Sequence, residues 1–203
     1  IILDSAFVWE KDKNLYLFKN DQYWTFTPKN KLLGPFFINN FWGKIIGTNQ
    51  NSISSLTNNT NATIETTNSP NLDPLITEGI DAIYSDFFDK ETYIFKGNLV
   101  YAYDPKTENI KNGFPKKIND IWKGLPEDLN FIDSVYADDK NQTIYFIKNK
   151  IYYKLNNSNK TFEKGKKIDN LWVNGPKNII INAMFNFNNN RYIIESDMVY
   201  EIN

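Results

Sequence analysis

Carboxylates are the side chains best placed to do chemistry in this chain. It has 24 Asp and Glu among 203 residues, and neither histidine nor cysteine. Without those two types there are no Ser-His-Asp or Cys-His triads, no thiolate sites and no disulfides. The commonest general base, the commonest transition-metal ligand and any His-ligated haem are lost with them. A carboxylate pair of the glycosidase kind is compatible with the composition. Yet the acids that stand in register (Asp4, Asp81 and Asp133, with Asn182 as the fourth) follow a repeat, and no acid is placed beyond it. The sequence therefore reads as a protein that is not an enzyme.

The elements that position those residues recur. From Asp81 to Asp133 is 52 residues, from Asp133 to Asn182 is 49, and from Asp4 to Asp81 is 77. A fixed period of this size sets the architecture before any single residue does. Each copy continues with a hairpin core: Tyr16-Leu17-Phe18-Lys19, Tyr93-Ile94-Phe95-Lys96, Tyr145-Phe146-Ile147-Lys148 and Tyr192-Ile193-Ile194-Glu195. Short turns follow at Asn20-Asp21, Gly97-Asn98, Asn149-Lys150 and Ser196-Asp197. Then come Trp24, Tyr101, Tyr153 and Tyr200, and two residues later Phe26, Tyr103, Leu155 and Ile202. Aromatic-rich runs split by Gly, Asn or Asp are the signature of β-hairpins. Three copies add Ile38/Phe41/Trp42, Ile118/Ile121/Trp122 and Ile168/Leu171/Trp172. The i, i+3, i+4 spacing predicts one face of a short helix, with glycine ending it.

Four units of about 50 residues, none able to bury both faces alone, predict an all-β domain closed radially, with short helices between the units. The units fall at about 3–46, 79–130, 131–179 and 180–203, within one domain spanning 1–203. Residues 47–78 do not fit the period; their Ser/Thr/Asn composition predicts a flexible insertion with too little apolar surface to offset ordering. Asn58, Asn61, Asn141, Asn156 and Asn159 match the N-glycosylation acceptor, a pattern that chance supplies readily in so Asn-rich a chain. The last copy lacks the helix and its Trp. Its outer edge is expected to be completed by the N-terminal Ile1-Ile2 or by another chain, which makes it a site for oligomerisation.

A net charge of −1 gives no basic footprint for nucleic acid, and no apolar run approaches the about 20 residues of a membrane span. The start at Ile1, without Met or a signal peptide, points to a processed or trimmed chain.

The run TYIFKGNLVYAYD…GFPKKINDIWKGLP followed by IDSVY resembles the hemopexin-like repeat. That repeat occurs in hemopexin, matrix metalloproteinase C-terminal domains, vitronectin, plant seed albumins and bacterial photopexins. The resemblance spans the chain except 47–78 and the end of the fourth copy, and it implies a four-bladed β-propeller with the first strand of each repeat innermost. It further implies that the carbonyl oxygens of Asp4, Asp81, Asp133 and Asn182, and of Ala6, Ile83, Val135 and Met184 two residues on, line a central channel. Converging carbonyls suit Ca²⁺ or Na⁺, and inward N–H groups suit Cl⁻. The competing expectation is that these acids bond to neighbouring backbone and set the strand start. Two departures stand out: no disulfide closes the ring as in animal members, and no histidine binds haem as in hemopexin.

Trp24, Trp42, Trp122 and Trp172 keep strict repeat phase and are expected in the core rather than in a stacking platform. Trp9 is out of phase and is expected to be exposed. Lys116, Lys117, Lys123, Lys164, Lys166 and Lys167 recur beside the helices, as a polyanion-binding stripe or, more commonly, a solvated face. Together these features point to a secreted, extracellular, non-enzymatic module for protein–protein or host-target interaction. The Asn/Lys/Ile-rich, Cys-free composition leans toward a low-GC bacterium and a toxin-associated or virulence role. The alternative is a small-ligand carrier, taking haem or a polyamine at the central channel.

Overall fold

The computed structural model describes residues 2–38, 79–172 and 175–202. Phe41, Trp42 and the 47–78 insertion lie outside them. Blade one is built from β1 (Ser5–Val8), β2 (Leu15–Lys19), β3 (Gln22–Phe26) and β4 (Leu32–Phe37). Blade two comprises β5 (Ala82–Ser85), β6 (Thr92–Lys96), β7 (Leu99–Asp104), β8 (Asn109–Ile110) and β9 (Lys116–Lys117). Blade three repeats this plan with β10 (Ser134–Asp138), β11 (Thr143–Lys148), β12 (Ile151–Asn156), β13 (Thr161–Phe162) and β14 (Lys166–Lys167). Blade four holds β15 (Ala183–Phe187), β16 (Asn190–Glu195) and β17 (Met198–Ile202). All pairings between these strands are antiparallel, and successive strands are neighbours except that β9 pairs with β7 and β14 with β12.

The four first strands form the inner ring. β1 packs beside β5 and β15, and β10 beside the same two, so blade four closes on blade one. Four buried apolar clusters straddle the four seams. Phe7, Trp9 and Tyr16 meet Ile94 and Tyr103 between blades one and two. Phe95 and Trp122 meet Val135 and Phe146 between two and three. Ile147 and Trp172 meet Ile181 and Ile193 between three and four. Ala6 and Leu15 meet Ala183 and Phe185 between four and one. Each blade thus buries both faces against neighbours, which is why one alone is not a stable unit.

Trp122 behaves as the repeat phase predicts, with its ring edge-on to Phe146 at 5.0 Å. It follows the helix α1 (Ile118–Ile121), which buries Ile118. The chain leaves at Gly124 (φ +87), where a Cβ would sit 2.2 Å from the Phe162 carbonyl oxygen. Blade three makes only a 3-10 turn at Ile168–Asn170, with Trp172 buried behind it.

Three expectations need correction. Trp9 is buried, not exposed. Its N–H bonds to the Asn14 carbonyl and its carbonyl accepts from Lys13 N–H, so the 9–14 loop folds back and turns the indole against Tyr16 and Tyr103. Trp24 is only half-buried: it pairs with Leu17 on the face of β3 that carries Phe26, but unlike those two it does not join the cluster at the blade-four seam. Ile2 does not complete blade four: it lies in no strand, and β17 pairs only with β16 among the described residues.

Candidate functional site

The two ends of the inner ring are built differently. At the end where the inner strands begin, Asp4, Asp81, Asp133 and Asn182 line one cavity of about 370 Å³. Their backbone N–H groups bond outward to Phe18, Phe95, Ile147 and Ile194 carbonyls of the second strands. Their side chains reach across the same hairpins. Asp81 accepts from Lys96 Nζ at 2.9 Å and from Gly97 N–H at 2.7 Å. Asp4 accepts from Lys19 Nζ at 2.7 Å and from Asn20 N–H. Asp133 does the same with Lys148 and Asn149 N–H. Asn182 Oδ1 accepts from Ser196 N–H at 2.7 Å.

The four bonded amides share one conformation. Asn20, Gly97, Asn149 and Ser196 have φ of 52, 55, 54 and 54°. Each opens a two-residue turn between second and third strands. A left-handed residue exposes its N–H, and the strand-start oxygen caps it. The carboxylates therefore act first as hairpin clamps, satisfied within their own blades. Among the described residues no three His, Cys, Asp or Glu side chains cluster as a metal site. A cation at this mouth would have main-chain carbonyl oxygens as its ligands, a donor set that fits hard ions. Ile83, Val135 and Met184 lie deeper and face the opposite cavity, while Ala6 borders neither.

Around the clamps runs an interrupted apolar rim two residues before each strand start: Ile2, Phe131 and Ile180 are 51%, 38% and 51% exposed. Blade two has Gly79 there, because a Cβ would meet the Asn20 carbonyl oxygen at 2.2 Å. Lys148 lies over the Phe131 ring.

The other end, where the inner strands finish, opens into a cavity of about 350 Å³ reached by all four blades. Below its rim, Asp86 and Asp138 occupy the same repeat position and are both buried. Asp138 is met by Arg191 from blade four at 3.3 Å, and Arg191 Nε donates to Tyr136 Oη at 2.7 Å. Asp86 caps Phe88 N–H and accepts weakly from Tyr84 Oη. Burial, then the nearby Asp89, pushes its carboxyl above the usual carboxylate range, and burial holds the Tyr84 hydroxyl far above the ordinary phenol. The charged side chains at the two ends are thus occupied with structure.

The repeat's phase gave the positions of the strand-start residues but not their partners. The signal existed: Asp-to-Lys spacings of 15 recur at 4/19, 81/96 and 133/148. The Arg191–Asp138 bond had a weaker signal, in that Arg191 is the only arginine of the chain. The six lysines noted earlier are all exposed on the outer parts of blades two and three.

Four contiguous sheets around a common axis, with strand-start residues converging on one mouth, define a four-bladed β-propeller. The Hemopexin family model matches residues 3–43 and 80–127, so the first two blades are hemopexin-like repeats. Human matrix metalloproteinase-21 is 32% identical over 119 residues, 55% of this chain but only 20% of that protein's length. Albumin-2 of Pisum sativum is 34% identical over 82 residues, 38% of this chain and 34% of that protein. The hemopexin-fold protein CP4 from cow pea superposes with a TM-score of 0.72 at 19% identity, covering 98% of this chain and 85% of that one. A plant lectin with two metal-binding sites from Cicer arietinum gives 0.70 at 22%, with 99% and 86% covered. These likenesses carry the architecture. No helix among the described residues is long and apolar enough to cross a membrane.

Proposed function

We propose that this chain is a secreted, non-enzymatic binding module that engages a protein partner through the outer edge of blade four. The observation that carries this is β17. Among the described residues it is paired on one edge only, with β16. Met198 and Val199 on it are 52% and 62% exposed. An exposed strand edge with apolar side chains is a template for an added strand from another chain. The partner's strand would add to that edge by main-chain hydrogen bonds; self-pairing of two copies is the same chemistry. A host-directed role, as part of a toxin or virulence protein, is the setting we favour.

On this reading the axial cation, Ca²⁺ or Na⁺ with Cl⁻ as a counter-ion, is structural. It would be held at the mouth by carbonyl oxygens of Asp4, Asp81, Asp133 and Asn182, with those of Ala6, Ile83, Val135 and Met184 forming a second ring further along the axis. Carriage of haem or a polyamine at the axis is the weaker reading, since the mouth carboxylates already hold lysines. A photocross-linking residue at Val199, with a control at Lys106 on an exposed turn of blade two, tests the edge in the extracellular medium of the producing organism. One dominant adduct from position 199 alone is expected. Equal adducts from both positions, or none from 199, would sink the proposal.

A further inference from the structure

The cavity at the strand-finishing end has a composition that the propeller fold does not require. Its wall is apolar on every side, with Phe7 from β1, Ile83 from β5, Val135 from β10 and Met184 from β15. Its rim carries charges of both signs, and they are already engaged. Glu10 and Lys13 bond to each other. Asp139 accepts from the Asn186 amide at 2.8 Å, and Lys140 reaches the Asn189 carbonyl at 3.5 Å.

The rim is also lopsided. The loops between first and second strands are residues 9–14, 86–91, 139–142 and 188–189 in blades one to four. They shorten toward blade four, so that side is low and open. There the turn is Asn188-Asn189, both left-handed at φ 50 and 68°, the conformation of a tight type I′ hairpin turn. Both residues border the cavity. Among the described residues their side-chain amides have no hydrogen-bond partner, while the neighbouring Asn186 amide is used twice.

We infer that this cavity is a binding site for a small, uncharged, largely apolar molecule with one polar edge that both donates and accepts hydrogen bonds, such as a flat ring bearing an amide or hydroxyl. The apolar walls take the ring. The Asn188 and Asn189 amides, held at the low side of the rim by a rigid turn, take the edge. A charged ligand gains little, because each rim charge has a partner and would have to be stripped from it. At about 350 Å³ the space lies at the lower end of small-molecule sites, which run to about 1,000 Å³. That suits one or two fused rings and is too little for haem. The inference rests on the reading of the chain as a binding module, but on a different surface from β17.

The two methionines allow a direct test. Met184 is buried in the cavity wall and Met198 is exposed on β17, so methyl NMR of the full chain carries a reporter and an internal control. Indole-3-carboxamide, indole-3-carboxylate and tryptamine present one ring with a neutral, an anionic and a cationic edge. The expected result is a saturable shift of the Met184 methyl with the carboxamide, an unmoved Met198, and affinities for the two charged probes at least about tenfold weaker. Asn188→Gly/Asn189→Gly keeps the left-handed turn while removing both amides. It is expected to weaken the carboxamide about tenfold, the scale of one or two neutral hydrogen bonds, and to leave the melting temperature unchanged. No Met184 shift at millimolar carboxamide, equal binding of the charged probes, or an unaffected glycine variant would overturn the inference. Cross-links from Val199 that persist after such a failure would leave the protein-binding reading standing.

Discussion

Replacing Arg191 by Met should loosen the joint between blades three and four. The Arg191 side chain is 23% exposed and the Asp138 side chain it meets is 4% exposed. Its guanidinium bonds Asp138 Oδ2 at 3.3 Å and Tyr136 Oη at 2.7 Å, and stacks 5.1 Å from the Tyr136 ring. Removing one member of a fully buried pair costs about 3–5 kcal/mol. Here the guanidinium keeps some water contact, and Asp138 retains Asn141 N–H at 3.2 Å and the Asn141 amide at 2.9 Å. Those retained partners scale the loss to about 2–3 kcal/mol, and methionine preserves most of the apolar stem. At this chain length that is a fall in melting temperature of about 5–10 °C. Urea unfolding followed by tryptophan fluorescence reads it as a lower midpoint with an unchanged slope. The decisive measurement is the double variant Asp138→Asn/Arg191→Met. With no unpaired charge left in the seam it should be more stable than Arg191→Met alone. A single-variant loss below about 0.5 kcal/mol, or a double variant no better than the single, would refute the buried-pair account.

Asp81→Ala removes both the Lys96 pair and the cap on Gly97 N–H, and should cost about 1–2 kcal/mol in urea unfolding. Asp81→Asn, which copies Asn182, should lose less than half of that. If the axial cation is held by carbonyls, added CaCl₂ should raise the melting temperature of Asp81→Asn as much as that of the parent chain; loss of that rise would assign the carboxylate as a ligand. Asp86 has its folded pKa raised, so the native state holds a proton longer than the unfolded chain does. Stability from this group is then present below the unfolded value and lost as pH rises through the folded one. Asp86→Asn should therefore gain stability at pH 7 relative to the parent, and the gain should vanish in acid; an equal difference at both pH values would count against it. Trp122→Ala should cost about 3–5 kcal/mol, and Trp24→Ala much less, as read by thermal melts; equal losses would contradict their different burial.

The architecture was legible because its information is periodic. Hairpin runs such as Tyr93–Lys96 and the Trp122 position recur in phase, and phase survives without knowledge of partners. Departures from phase were where sequence reasoning failed. Trp9 looked exposed because no other blade repeats it; it packs on Tyr16 of its own blade and on Tyr103 of the next. Trp24 looked buried because its phase was right, although Tyr101 at the equivalent position is fully enclosed. The strand-start residues border one mouth, but their Lys19, Lys96 and Lys148 partners were not legible, since pairing at that distance depends on hairpin register. The Asn188-Asn189 turn was invisible for another reason: one short loop has meaning only beside three longer ones.

Among the described residues each blade is drawn from a single stretch of sequence, and β1 and β17 belong to different sheets. Among the described residues no strand is shared across the join between blades four and one, and side chains such as Phe26 against Phe187 hold it. A tensile load across that seam would meet this greasy contact before any sheet, and the ring would open like a clasp with its blades intact. The same layout makes the circle indifferent to where it is cut: a permutant joined across that seam and opened between blades two and three would keep every sheet whole.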